Sequence, residues 1–207
     1  MYTVYGCKGC GSMPVEAALA LAGVPYRVVD VEPWKGGPLV GELRALNPLA
    51  QVPTLVTPED AVLTESVAIL IWLDAQFPAT GLLPTDPIAR GQALRWLLFL
   101  SANVYAAIGV GDFPERWTEG EAACESLKAG GKARLMAYWE LFESQAAPSP
   151  YLAGEALCAL DLMVATMTNW RPGRTWFVAH CPKLMLATAA VEADPRLASV
   201  LARNRGE

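Results

Sequence analysis

Two cysteines stand three residues apart in Cys7-Lys8-Gly9-Cys10, where a short β-prone run gives way to a helix. The thiolate is the reactive form of cysteine, and a helix N-terminus or a neighbouring cation such as Lys8 lowers a cysteine pKa to roughly 3.5–7.5. A C-x-x-C beside a strand–helix–strand pattern suggests redox or nucleophilic thiol chemistry; half-buried structural cysteines would satisfy the same spacing. A second candidate is Gln51-Val52-Pro53, which opens a strand with a residue that has no N–H to give. A cis Val52–Pro53 bond would present the Val52 backbone groups to an extended peptide ligand, and an edge-strand or loop proline is the plainer alternative. The third is Thr64-Glu65-Ser66, directly before an apolar helix. Backbone N–H groups and hydroxyls there suit a carboxylate, and Glu65 could pair with an amine, although ordinary N-capping explains Thr64 and Ser66 as well. The fourth, Cys158 to Asp161, has capping-box spacing flanked by a Leu157/Leu162 staple, and reads as structural. His180 is the only histidine, which nearly removes Ser/His/Asp and Cys/His catalysis and any zinc site needing several histidines, so no metal is expected.

The elements that must position these residues follow from the pattern around them. Residues 2–5 form a strand, and PVEAALALAG a helix with Pro14 in its first turn and Gly23 placed to end it. Strands are expected at 26–31, from Pro53 through Val56, and at 61–63, with a short helix around 40–46 and a longer one opened by Thr64-Glu65-Ser66. The order β-α-β-α-β-β-α is thioredoxin-like. Beyond it the chain shows no convincing strand. A segment rich in proline, threonine and aspartate reads as a linker, and helices are expected near 87–110, 120–146, 156–170, 181–193 and 195–203. The division is 1–79, a linker at 80–87, and 88–207.

Composition bounds the function. With 53% hydrophobic and 18% charged residues, the chain can bury a real core. A net charge of -5 argues against nucleic acid as the main partner. No basic segment precedes an apolar stretch at the N-terminus, and apolar runs such as Val67 to Leu73 are too short to span a bilayer, so neither export nor a membrane is expected. An odd number of cysteines, five, with no export signal points to a reducing cytoplasm.

LNPLAQVPTLV followed by LTESVAILIWL, YLAGEALCALDLMVATM, and HCPKL with the later Asp194-Pro195 together resemble the glutathione transferase family along essentially the whole chain. YGCKGCGSMPVEAALALAG is most similar to the bacterial beta class, with Cys10 and Pro14 matching the active-site cysteine and the proline four residues on. The resemblance implies a thioredoxin-like domain followed by an all-helical one, glutathione as co-substrate, and a homodimer. It implies that Cys10 contacts the glutathione sulfur and that Val52, within Gln51-Val52-Pro53, binds the cysteinyl backbone. It places the γ-glutamyl group on Glu65 and Ser66, the glycyl carboxylate near Lys35, and the acceptor site against Asn103 and Tyr105. Ser12 is a rival for the sulfur contact, because other classes use a serine near this helix start. The chain departs from the pattern in lacking a histidine near Tyr105 and in carrying Cys158 where a capping Ser or Thr is usual. If Cys10 holds the nucleophile position, Cys7 lies upstream and the pair is out of register for a glutaredoxin.

Three functions are compatible with these residues. The first is conjugation of the glutathione thiolate to a small apolar electrophile. The second is thiol–disulfide exchange through a mixed disulfide at Cys10. The third is a non-catalytic interaction module, against which the retention of Gln51-Val52-Pro53, Glu65 and Ser66 weighs. Trp96, Leu97, Phe99 and Leu100 are too many apolar residues for one helix face; some belong to the monomer core, and the others are expected to contribute to a dimer contact.

Overall fold

A computed structural model describes residues 1–205. Strand β1 (Tyr2–Gly6) runs parallel to β2 (Tyr26–Asp30), in register from Tyr2 opposite Tyr26 to Gly6 opposite Asp30. Helix α1 (Met13–Ala22) makes the crossover. Pro14 occupies its first turn, where an N–H would be unpaired anyway, and Gly23 ends it at φ 66° with its N–H returned to the Ala20 carbonyl. A 3-10 turn at Pro33–Lys35 and α2 (Pro38–Leu46) lead to β3 (Thr54–Val56), β4 (Val62–Thr64) and α3 (Ser66–Gln76). The sheet order is β2-β1-β3-β4, with β3 antiparallel to both of its neighbours. This is the thioredoxin-like arrangement that the element order implies.

The rest of the described chain is helical: α4 (Pro87–Phe99), α5 (Tyr105–Asp112), α6 (Glu121–Gln145), α7 (Ala159–Met167), α8 (Arg174–His180), α9 (Pro182–Glu192) and α10 (Ala198–Arg205). Helix α8 is not anticipated by the sequence pattern, because it is only seven residues long and follows directly on Pro172-Gly173. Asp86 caps α4 by accepting from the Ile88 and Ala89 N–H groups at 3.1 and 2.8 Å. Helices α4 and α5 form one rod joined by a π-helical turn at Leu100–Val104. The rod is long and apolar enough to cross a membrane by length and composition alone. Here Ala93, Trp96, Leu97, Leu100 and Val104 pack into the protein core.

That packing takes Trp96, Leu97 and Leu100 away from the expected dimer contact. Trp96 stacks on Phe142 of α6 with ring centroids 4.1 Å apart, and Phe99 meets Tyr138 edge-on at 5.4 Å. They belong to the monomer core.

Helix α7 is buried along its whole length, and α1 packs against both α7 and α3. Asp161 holds its start, accepting from the Cys158 N–H at 2.9 Å and from the Leu152 N–H at 2.7 Å. Asp74 of α3 ties the connection to α4: it accepts from the Leu83 N–H at 2.9 Å and from Arg90 at 2.8 Å. The core therefore runs without a break from α1 and α3 into the bundle, while Val40 and Leu43 of α2 pack in a separate small cluster with Val31 and Ala50.

Candidate functional site

A cleft of about 1200 Å³ opens between the loops at one end of the sheet and the α4–α5 rod. Cys10, Gln51, Val52, Pro53, Glu65, Ser66 and Tyr105 all line it. Three separate loops and one helix thus converge.

The thiol sits on the turn from Cys7 to Cys10. Gly9 adopts φ 68°, a conformation that costs other residues, and the Cys10 N–H closes the turn onto the Cys7 carbonyl at 3.3 Å. The Cys10 sulfur folds back over the Cys7 backbone, 2.8 Å from its carbonyl oxygen and 3.1 Å from its nitrogen. Hydrogen bonding from the Cys7 thiol, supported by the Ser12 hydroxyl and by the Ser12 and Cys7 amides, outweighs burial and lowers the Cys10 thiol to about 6. The same interaction, together with desolvation, pushes the buried Cys7 thiol up. Of the two, Cys10 is the thiol that ionises first.

The helical bundle holds this turn from behind. The Trp170 indole N–H donates to the Gly9 carbonyl at 2.8 Å, and Asn204 accepts from the Gly9 N–H at 3.0 Å. Both polar groups of the turn's central residue are therefore anchored by residues from the far end of the chain. Trp170 also meets the Tyr105 ring edge-on at 5.3 Å.

The loop before β3 is ordered by Asn47. Its side chain donates to the Gln51 carbonyl and to Thr54 Oγ1, both at 3.2 Å, and accepts from the Leu49 N–H at 3.1 Å. The Val52–Pro53 bond is cis. Glu65 precedes α3 at φ 66° and ψ 111°, a strained position for a residue with a side chain, and points an exposed carboxylate toward the cleft that Ser66 also lines. Neither Thr64 nor Ser66 makes a capping bond there, so the N-terminal N–H groups of α3 are not used by a side-chain cap.

Tyr105 faces this group across the cleft. Burial, and then the charges of Cys10 and Glu65, push its phenol up, so it remains a protonated donor. A Cβ on Gly11 would lie 2.6 Å from the Tyr105 hydroxyl oxygen, so only glycine fits at that point.

Three expected site residues are elsewhere. Lys35 is exposed, paired with Glu32 one turn away, and is not among the cleft residues; Arg44 of α2 lines the cleft instead. Ser12 is fully buried and donates to Glu16 at 2.8 Å, lying behind Cys10 rather than beside it in the cleft. Asn103 does not line the cleft, although Ser101 and Tyr105 on either side of it do. The lining instead continues from Tyr105 to Ile108, Gly109 and Asp112.

Several cleft residues escaped the sequence reading. Trp34 stands next to Lys35 in the same loop. Arg116 lies over the Phe113 ring at 3.9 Å, and Arg171 pairs with Asp112 at 3.0 Å. Phe113-Pro114 and Arg171-Pro172-Gly173 carry turn signals that could have marked these as loops facing a site. Nothing local marks Trp170 or Asn204. No cluster of three His, Cys, Asp or Glu able to hold a metal occurs among the described residues.

A thioredoxin-like sheet that presents a thiol, on the turn before its first helix, to a cleft walled by an all-helical bundle is the architecture of the glutathione transferases. The family description "Glutathione S-transferase, N-terminal domain" matches residues 12–76. The GST-like protein YncG of Escherichia coli K12 is 36% identical over 208 residues, covering 99% of this chain and 98% of that one. The chain belongs to the glutathione S-transferase family. Among solved structures, a glutathione transferase homolog from Sulfitobacter, with bound glutathione, superposes with a TM-score of 0.88 at 28% identity, covering 100% of this chain and 98% of that one. A sphingomonad glutathione S-transferase complexed with glutathione shares the fold, with a TM-score of 0.79 at 22% identity and 98% coverage of each chain.

Proposed function

We propose that the cleft binds glutathione and that the protein is a cytoplasmic glutathione transferase, adding the glutathione thiolate to a small apolar electrophile. One observation carries this reading: Cys10, Val52, Glu65, Ser66 and Tyr105, drawn from separate parts of the chain, line a single cleft. The ligand's cysteinyl unit lies along Val52, its γ-glutamyl ammonium on Glu65, its α-carboxylate at Ser66 and the start of α3, and its glycyl carboxylate toward Arg44. The electrophile lies against Ile108, Phe113 and Trp117, an apolar wall that discriminates by size more than by chemistry. Calorimetric titration with glutathione, and conjugation of an activated aryl halide, test the two halves of this reading. Failure to bind glutathione at millimolar concentration would refute both.

A second reading is favoured by the lowered Cys10 thiol, which is a thiolate at neutral pH and therefore a nucleophile for disulfides. Reduction of a glutathione mixed disulfide, lost in Cys10→Ala, identifies that activity. The five free cysteines suit a reducing cytoplasm. The homodimer remains part of the proposal, with the exposed Ile88 and Leu98 of α4 as its available apolar surface. A monomer mass by light scattering at micromolar concentration would exclude it.

A further inference from the structure

Conjugation makes no use of Cys7. It is 97% buried, yet its backbone is wrapped by the Cys10 sulfur at 2.8 and 3.1 Å. The turn linking the two residues is closed by the Cys10 N–H on the Cys7 carbonyl at 3.3 Å. Such a turn keeps its end Cα atoms within about 7 Å, and disulfides span Cα separations of about 4.4–6.8 Å. Anchoring of Gly9 on both its N–H and its carbonyl by Asn204 and Trp170 keeps the ends of the turn together. The two sulfurs are unequal in access: Cys10 lines the cleft and Cys7 does not.

We propose that Cys7 is a resolving thiol for Cys10, converting an oxidised Cys10 into an intramolecular Cys7–Cys10 disulfide. The polarity is the reverse of the sequence-order expectation, with the downstream cysteine attacking and the upstream one resolving. With glutathione disulfide as oxidant, the Cys10 thiolate attacks one of its sulfurs. The Cys10–glutathione bond forms, the bond within the glutathione disulfide breaks, and one glutathione thiolate leaves. Cys7 then attacks the Cys10 sulfur; the Cys7–Cys10 bond forms, the Cys10–glutathione bond breaks, and the Cys7 proton departs with the second glutathione. Two protein thiols are oxidised and one disulfide is reduced to two thiols. With hydrogen peroxide the intermediate at Cys10 is a sulfenic acid, which condenses with the Cys7 thiol and releases water.

The electrostatics are ordered to suit this sequence. Cys7 is pushed up first by its hydrogen bond to the Cys10 sulfur, then by desolvation, then by the Cys10 charge. The first and third of these disappear once the Cys10 sulfur is covalently bound. Cys7 thus becomes easier to ionise when its attack is required.

The glutathione branch rests on the exchange reading of Cys10, whereas the peroxide branch does not. The test is to treat the reduced full-length protein with glutathione disulfide or with hydrogen peroxide, then digest with trypsin without reductant. Cleavage after Lys8 separates residues 1–8 from 9–27, so a Cys7–Cys10 disulfide appears as a linked pair that reductant splits. Wild type is expected to give the linked pair and to release two glutathiones per chain. Cys7→Ala should retain one glutathionyl group on Cys10 and release one, and Cys10→Ser should give neither product. Cys7→Ser, if Cys7→Ala misfolds by circular dichroism, serves the same purpose. A stable glutathionyl adduct on wild type, equal to that on Cys7→Ala, would overturn the proposal. If only peroxide yields the linked pair, the resolving role stands and the glutathione-exchange reading falls. If neither oxidant yields it, the role assigned to Cys7 is wrong.

Discussion

The Ser12 hydroxyl donates to Glu16 Oε1 at 2.8 Å, and both side chains are fully buried beneath the Cys10 turn. The same hydroxyl lies 3.4 Å from the Cys10 sulfur and 3.3 Å from the Cys7 carbonyl, with Glu16 its shortest contact. Glu16 is held in turn by Asn204 at 3.4 Å and Arg203 at 3.5 Å. The serine is therefore part of the support beneath the thiol. Ser12→Ala leaves a buried carboxyl group short of a partner, at a cost of about 1–3 kcal/mol. A chain of this size loses about 2–4 °C in Tm per kcal/mol. Calorimetric affinity for glutathione should be unchanged. Lost binding with an unchanged Tm would restore Ser12 as a ligand contact.

Glu65 is placed to expose a functional cost. Glu65→Ala removes a charge-assisted hydrogen bond to the ligand ammonium, about 1.5–3 kcal/mol, or roughly 10- to 150-fold in glutathione affinity. Glu65→Gly should weaken binding as much while relieving strain of about 1–3 kcal/mol at φ 66°, so its Tm should rise. Calorimetry and thermal melts on the two variants separate ligand contact from backbone strain. Unchanged affinity in both would remove Glu65 from the site.

The thiol pair makes a pH prediction of definite sign. Cys10 is lowered to about 6, so at pH 6.5 far more of it is thiolate than the roughly 1% of an ordinary cysteine near 8.5. Iodoacetamide at pH 6.5 should label Cys10 first, and saturating glutathione should protect it. Cys7, Cys158 and Cys181 are all pushed up and should be slow. Because the leading cause of the low value is hydrogen bonding from Cys7, Cys7→Ala should shift the labelling profile to higher pH. The folded-state lowering also stabilises the protein above the unfolded thiol's pKa, and that contribution fades as pH falls toward 6. Mass spectrometry that finds Cys7 labelled before Cys10 would reverse the assignment of thiol and thiolate.

Gly11 and Tyr105 form a steric pair. Gly11→Ala puts a methyl group 2.6 Å from the Tyr105 hydroxyl oxygen, while the next atom of that ring, Cζ, is 3.6 Å away and in ordinary contact. The single variant should displace Tyr105 and lose stability on the order of 1–3 kcal/mol, the usual cost of overpacking. Adding Tyr105→Phe removes the offending oxygen, so the double variant should recover most of that loss in a denaturant titration. Additive losses in the double variant would show that the two residues do not meet.

Much of this protein is legible in one dimension, because its elements are decided by neighbours in sequence. Pro14 and Gly23 bound α1, Asp86 and Pro87 start α4, and Cys10, Gln51-Val52-Pro53 and Glu65-Ser66 fall at element ends. Their convergence on one cleft follows from the β-α-β-α-β-β-α order, which brings those ends to one edge of the sheet. Only the tertiary structure decided which polar side chains reach the cleft. Lys35 and Arg44 are both exposed cations on flanking segments, and a local ion pair to Glu32 takes the first away. Ser12 and Cys10 are two residues apart at the same helix start, yet a buried carboxylate one turn on draws the serine inward. Gly9 is anchored by Trp170 and Asn204, 161 and 195 residues away. Spacing along a chain specifies periodicity and caps, but a contact across such a separation depends on how helices from the two halves pack, and no local pattern encodes that.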